Sequence, residues 1–165
     1  MADMKRYLPA SVIGRGLCIG SYDVNHCQQK IQKWIHQLGV INQMNNAKVK
    51  VTVNGSTVLS AQWEDNATAK ALLKKMPFTI KMSNLYGREM CHRFGGGSLP
   101  VKAYKNKDYA VGDISYWPPL GSLVILYGQN GEVFEQVSIG HIEDDIRFFS
   151  GMPEATILFE TVKES

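Results

Sequence analysis

Two hydrophobic patterns divide the chain near Met44. Upstream, four apolar side chains follow the i, i+3, i+4, i+7 spacing of one helical face: Ile31, Trp34, Ile35 and Leu38. We therefore predict an N-terminal extension over residues 1–43 with an amphipathic helix at about 25–38, and a separate domain over residues 44–165. Packing of this helix on the domain is favoured over a partner-binding or membrane-surface role.

Downstream, the pattern changes to the alternation of β-strands. Val49, Val51 and Val53 alternate with polar residues, which predicts a strand with one buried face. Asn54-Gly55 then predicts a hairpin, because a type I′ turn needs positive φ at both central residues. The second strand of the hairpin is predicted over residues 57–62.

A single helix interrupts the strands. Asp65 or Asn66 is a suitable N-cap and Pro77 ends the segment. The apolar stripe between them comprises Ala69, Leu72, Leu73 and Met76.

Further short strands are predicted at 78–83, 87–94, 113–117, 123–127, 136–142 and 156–160. Residues 95–112, with three consecutive glycines, are predicted to form a long surface loop. Many short strands with few helices are typical of a barrel or a sandwich.

Composition narrows the classes of function. The net charge of +3 is spread among acidic residues without a basic stripe, which argues against nucleic-acid binding. Three cysteines do not form a disulfide framework, and Pro9 and Gly14 interrupt any signal-like apolar stretch, so we expect a cytoplasmic protein that is not bound to a membrane. Cys91 and His92 are adjacent and point to opposite faces of a strand, so we expect no metal site and no cofactor.

Five segments, in order, resemble the bacterial cyclophilin-like family. They are Asp65–Ala69 with Met76–Phe78, Gly87–Glu89, Gly112–Trp117, Leu126–Gly128 and Val137–Ile142. The resemblance implies a mainly β fold, a closed eight-stranded antiparallel barrel capped by helices. It implies no defined activity, because many such proteins carry the name for their shape.

The run Cys91-His92-Arg93-Phe94 is similar to the Phe-His-Arg motif of true cyclophilins, whose arginine is catalytic. Prolyl rotation faces a barrier of ~18–20 kcal/mol, and an arginine that stabilises only the twisted amide would lower it. The match ends at Phe94, because three glycines stand where cyclophilins have a proline and a Gln-Gly-Gly-Asp segment.

The leading hypothesis is therefore a noncatalytic module that binds a peptide or a small molecule in a groove on the barrel. The alternative is a peptidyl-prolyl isomerase that uses Arg93, and a third possibility is an interaction protein that recruits a partner through the 25–38 helix. The residues predicted to line the groove are Arg93, Phe94, Glu89, Tyr116 and Tyr127. The sequence does not define the oligomeric state.

Overall fold

The structure, a computed structural model, describes residues 47–162. These residues form nine strands, one α-helix and the 3₁₀ helices Pro118–Leu120 and Arg147–Gly151. The elements are β1 (Ala47–Val53), β2 (Thr57–Trp63), α1 (Ala67–Leu73), β3 (Phe78–Leu85), β4 (Glu89–Arg93), β5 (Lys105–Lys107), β6 (Asp113–Trp117), β7 (Ser122–Leu126), β8 (Phe134–Ile142) and β9 (Glu154–Thr161). The predicted extension over residues 1–43 and its helix lie outside the described residues and stay predictions.

Eight of the strands form a closed antiparallel barrel. Their order is β2-β1-β9-β3-β4-β7-β6-β8, and pairing of β2 with β8 closes the ring. The short β5 pairs with the outside of this ring, along β8. The predicted closed eight-stranded barrel is confirmed, with one outer strand and one short α-helix added to it.

Alternation along the strands fills the barrel interior. Val49, Val51 and Val53 are buried as predicted, and Trp63 and Phe159 meet edge to face with ring centroids 6.0 Å apart. The β2–β8 seam requires Gly140, because a Cβ atom there would lie 2.4 Å from the backbone oxygen of Gln62.

Helix α1 is fixed to the barrel at its start. The Asn66 side chain accepts a hydrogen bond from the Ala69 amide at 3.0 Å and donates one to the Ser138 carbonyl at 2.7 Å. The Trp63 indole donates to the Ala69 carbonyl at 3.0 Å. The predicted N-cap Asn66 thus both starts the helix and links it to β8.

Residues 95–112 differ from the predicted surface loop. They contain β5, and they bury the side chains of Leu99 and Tyr109. The three residues of β5 are all polar and exposed, so no hydrophobic alternation marks this strand in the sequence.

Within residues 47–162, no helix combines the length and the hydrophobicity needed to cross a membrane.

Candidate functional site

The outward face of β4 carries three polar side chains of different chemistry. Glu89, Cys91 and Arg93 alternate with Met90, which points into the core and is fully buried. On the neighbouring β7, the residues directly opposite them are Leu126, Val124 and Ser122. Since directly paired residues of antiparallel strands share a face, these six side chains form one surface.

Five of these side chains, all except the fully buried Leu126, form the floor of a cleft of about 320 Å³. Its size falls within the range typical of small-molecule sites, about 300–1,000 Å³. Side chains from β6, from the start of β8 and from the β3–β4 turn form its walls. The lining residues are Leu85, Tyr86, Arg88, Glu89, Cys91, Arg93, Trp117, Ser122, Val124, Asn130, Glu132 and Phe134.

Arg88 holds one wall of the cleft in place. Its side chain is largely buried, and its Nε donates to Glu89 at 3.2 Å. Nη1 donates to Asn130 at 3.3 Å and also to the Glu132 carboxylate. One guanidinium therefore joins β4 to the segment that precedes β8, and its planar fork of donors suits it to that task.

Three aromatic rings surround the same guanidinium. The ring centroids of Tyr86, Tyr109 and Phe134 lie 5.6, 5.7 and 5.6 Å from the Arg88 Cζ. These distances allow cation–π attraction, which strengthens when water is excluded. Arg88 is thus a fixed structural part of the cleft wall.

Burial changes the acid–base chemistry of the floor. It raises the pKa of Glu89, and the positive charge and hydrogen bond of Arg88 oppose that rise. Burial likewise raises the pKa of the Cys91 thiol, against smaller opposing effects of Ser122 and Arg93. A thiol with a raised pKa is a poor nucleophile, so the floor does not favour cysteine chemistry.

Arg93 differs from Arg88 in its surroundings. It is exposed, and it has no salt-bridge partner among residues 47–162. It lies at the Ser122–Trp117 end of the cleft, because the β4–β7–β6 register places these three residues side by side. The guanidinium is therefore available to an acceptor on a bound molecule.

The structure brings together two of the five predicted groove residues. Glu89 and Arg93 line the cleft, whereas Phe94 packs on the core with its ring edge to His92, at a centroid distance of 4.7 Å. Tyr116 is buried in the core, and the buried Tyr127 donates its hydroxyl to Asn84 at 2.6 Å. Phe94, Tyr116 and Tyr127 are not among the cleft-lining residues, so a ligand in the cleft would not contact them.

Several cleft residues were not predicted. Cys91 could have been found from strand alternation, because it lies between Glu89 and Arg93 in the same period-two series. Arg88 and Phe134 gave no such signal, since their place in the cleft depends on which strands become neighbours.

A second, shallower cavity of about 400 Å³ lies beside β5 and β8. Its polar lining includes Lys105, Lys107 and Ser138, and the Lys107 ammonium donates to the Ser138 hydroxyl at 2.9 Å. These groups are exposed or half-buried, and the cavity has no buried charged group like Glu89. The β4–β7 cleft is therefore the better candidate site.

Neither cavity has the ligands of a metal centre. Within the part of the chain that the structure describes, no three His, Cys, Asp or Glu side chains are grouped so as to hold a metal ion.

Comparison with known proteins places the barrel in a family. The model of the Cyclophilin-like family matches residues 51–159, from the first strand to the last. No curated protein matches the chain. The match covers most of the chain and coincides with the closed barrel, so this chain belongs to the cyclophilin-like family.

Proposed function

We propose that this protein is a noncatalytic module that binds a peptide or a small molecule in the β4–β7 cleft. The cleft combines a preformed wall, held by Arg88, with apolar surface from Val124, Trp117 and Phe134. A mostly apolar concavity with a few placed polar groups is the usual form of a ligand site. Nucleic acid and membranes are not proposed as partners, because the modest net charge of +3 supports neither.

One observation carries the proposal. Arg93 presents a guanidinium to the cleft, and no acidic side chain among residues 47–162 pairs with it. A guanidinium suits carboxylate or carbonyl acceptors, with which it forms paired hydrogen bonds. The ligand should therefore have such an acceptor beside an apolar portion.

The test is amide chemical-shift mapping of the full-length protein with a library of small-molecule fragments and short peptides. We expect shifts confined to the segments that line the cleft, which are β4, β7, the β3–β4 turn, the end of β6 and residues 130–134, and we expect them to disappear in Arg93→Met. Arg147→Met is the matched control, because Arg147 is an exposed arginine outside the cleft. Shifts that map elsewhere, or that persist unchanged in Arg93→Met, would contradict the proposal.

A prolyl isomerase is the second candidate, and the surroundings of Arg93 favour it. Isomerisation needs an arginine beside an apolar surface for the proline ring and a second polar group nearby. Trp117 and Val124 could supply the surface, and Ser122 lies directly opposite Arg93. Exchange spectroscopy on X-Pro peptides separates the two functions, since a rate enhancement that Arg93→Met abolishes would establish the isomerase.

We also propose a cytoplasmic location. The chain has three cysteines, and the one described, Cys91, is a buried free thiol, as is usual in a reducing compartment.

A further inference from the structure

The cleft has opposite charges at its two ends. At the β3–β4 turn, the single cation Arg88 is shared by two carboxylates, Glu89 and Glu132, which leaves a formal charge of −1. At the other end of β4, Arg93 contributes +1. These four are the charged residues that line the cleft, so the site as a whole is neutral but dipolar.

The negative end has an available acceptor. The side chain of Glu132 is 64% exposed although it is paired with Arg88, so part of the carboxylate remains open to a ligand. Glu89 accepts from Arg88 through Oε2, which leaves its other oxygen without a described partner. A donor group on a ligand could therefore bind at this end without breaking the Arg88 network.

The backbone of Tyr86 gives independent evidence for a ligand contact at the same end of the cleft. Its backbone φ is +57°, in the left-handed region that a bulky side chain rarely adopts, and Gly87 follows at +62°. The β1–β2 hairpin has the same turn, with Asn54 at +50° and Gly55 at +72°, and there the residue is the favoured asparagine.

This strained tyrosine is also exposed. Tyr86 is 73% accessible, lines the cleft and has the Arg88 guanidinium on its ring. A large aromatic side chain is thus held at the cleft mouth at a position where asparagine would be less strained. Such strain is typical of residues that contact ligands.

The spacing of the two ends sets the length of the ligand. Glu89 and Arg93 are four residues apart on a strand, so their Cα atoms are separated by ~13 Å. Glu132 belongs to the Glu89 end, because Arg88 pairs with both carboxylates. Both side chains extend into the cleft, and an extended chain of about three residues, ~10 Å long, would span the remaining distance.

We propose that the cleft binds a short linear zwitterion of tripeptide length, with its ammonium at Tyr86 and Glu132 and its carboxylate on Arg93. This inference rests on the proposed function and specifies its ligand class. The ammonium would be attracted by the carboxylate and by the face of the tyrosine ring. The carboxylate would form paired hydrogen bonds with the guanidinium.

The experiment uses the full-length protein and a mixture of Ala-Xaa-Ala tripeptides in four forms: free, N-acetylated, C-amidated and blocked at both ends. Affinity is measured by amide shift titration. The free form should bind at least about tenfold more tightly than either singly blocked form, because each block removes one charged contact. Equal affinity of all four forms would overturn the inference.

Two variants test which residue of the cleft binds each end of the tripeptide. Arg93→Met should abolish the penalty for C-amidation and keep the penalty for acetylation. Glu132→Gln should reduce the penalty for acetylation and keep the penalty for C-amidation. If either variant leaves both penalties intact, the assignment of that end is wrong.

Tyr86→Asn tests the aromatic contact with two readouts of opposite sign. It should raise the melting temperature by a few degrees, because asparagine suits the turn, and it should weaken binding of the free tripeptides several-fold. A variant with a higher melting temperature and unchanged affinity would exclude Tyr86 as a ligand contact.

The outcomes also separate this inference from the broader proposal. If fragments map to the cleft and tripeptides do not bind, the zwitterion is wrong and the binding function stands. If neither library binds, both are wrong.

Discussion

Glu89 and Arg93 lie four residues apart on β4 and point from the same outward face of the barrel into one cleft. The two differ in environment, since Glu89 is buried against Arg88 whereas Arg93 is exposed. A buried acid and an arginine that has no salt-bridge partner among residues 47–162 give the cleft two distinct ends.

The two arginines of the cleft should differ in their effect on stability. Arg93→Met should change the free energy of unfolding by less than ~0.5 kcal/mol, since an exposed strand charge contributes little. Arg88→Met should cost on the order of 3 kcal/mol, because it leaves the buried Glu89 without its cation. Urea denaturation monitored by tryptophan fluorescence gives both values. Similar losses in the two variants would show that Arg93 has a structural role.

The pH dependence of stability should reveal the buried Glu89. Burial raises its pKa in the folded protein, so the folded state binds this proton more tightly than the unfolded state does. The contribution of Glu89 to the free energy of unfolding therefore decreases as the pH rises from the pKa of the unfolded state, about 4.3, through the pKa of the folded state.

Glu89→Gln removes that titration. The difference in melting temperature, variant minus wild type, should therefore increase between about pH 4 and pH 7. Glu154→Gln is a suitable control, because Glu154 forms an exposed pair with Lys81. A difference that decreases over this range would mean that the pKa of Glu89 is lowered in the folded state.

The cap of α1 should stabilise the barrel as well as the helix. Asn66→Ala removes the bond to the Ala69 amide and the bond to the Ser138 carbonyl, so we expect a loss of about 1–2 kcal/mol. Asn106→Ala, at an exposed position of β5, is the control and should have little effect. Equal losses would show that the cap contributes nothing of its own.

Much of the barrel was predictable because most of its strands have one buried face. The period-two pattern of Val49, Val51 and Val53 identified β1, and the Asn54-Gly55 turn fixed its partner. The pattern failed at β5, which is exposed on both faces and has no alternation to detect.

The residues of the cleft were harder to predict, because alternation identifies the two faces of a strand without showing which face is buried. Tyr116 is next to Trp117, and the two face opposite sides of β6, but the sequence does not say which side is the core. The structure buries Tyr116 and places Trp117 in the cleft. Arg88 was missed because its burial depends on three separate segments, which contribute Tyr86, Tyr109 and Phe134.

The domain boundary near residue 44 stays a prediction with a direct test. A chain that starts at Met44 should fold alone as a β-rich domain, because the barrel and the family match both lie beyond that point. Circular dichroism with a thermal melt should record a cooperative transition. If the shortened protein is soluble but has no cooperative transition, the barrel needs contacts from residues 1–43 in order to fold.

The central claim is that Arg93 binds the ligand in the β4–β7 cleft, and isothermal titration tests it most directly. The compound with the largest shifts in the library screen is titrated into the wild type, Arg93→Met and Arg147→Met. We predict that Arg93→Met weakens binding by about tenfold to a hundredfold, the loss expected for a charged hydrogen bond, while Arg147→Met binds as the wild type does. Equal affinity of all three proteins would contradict the account.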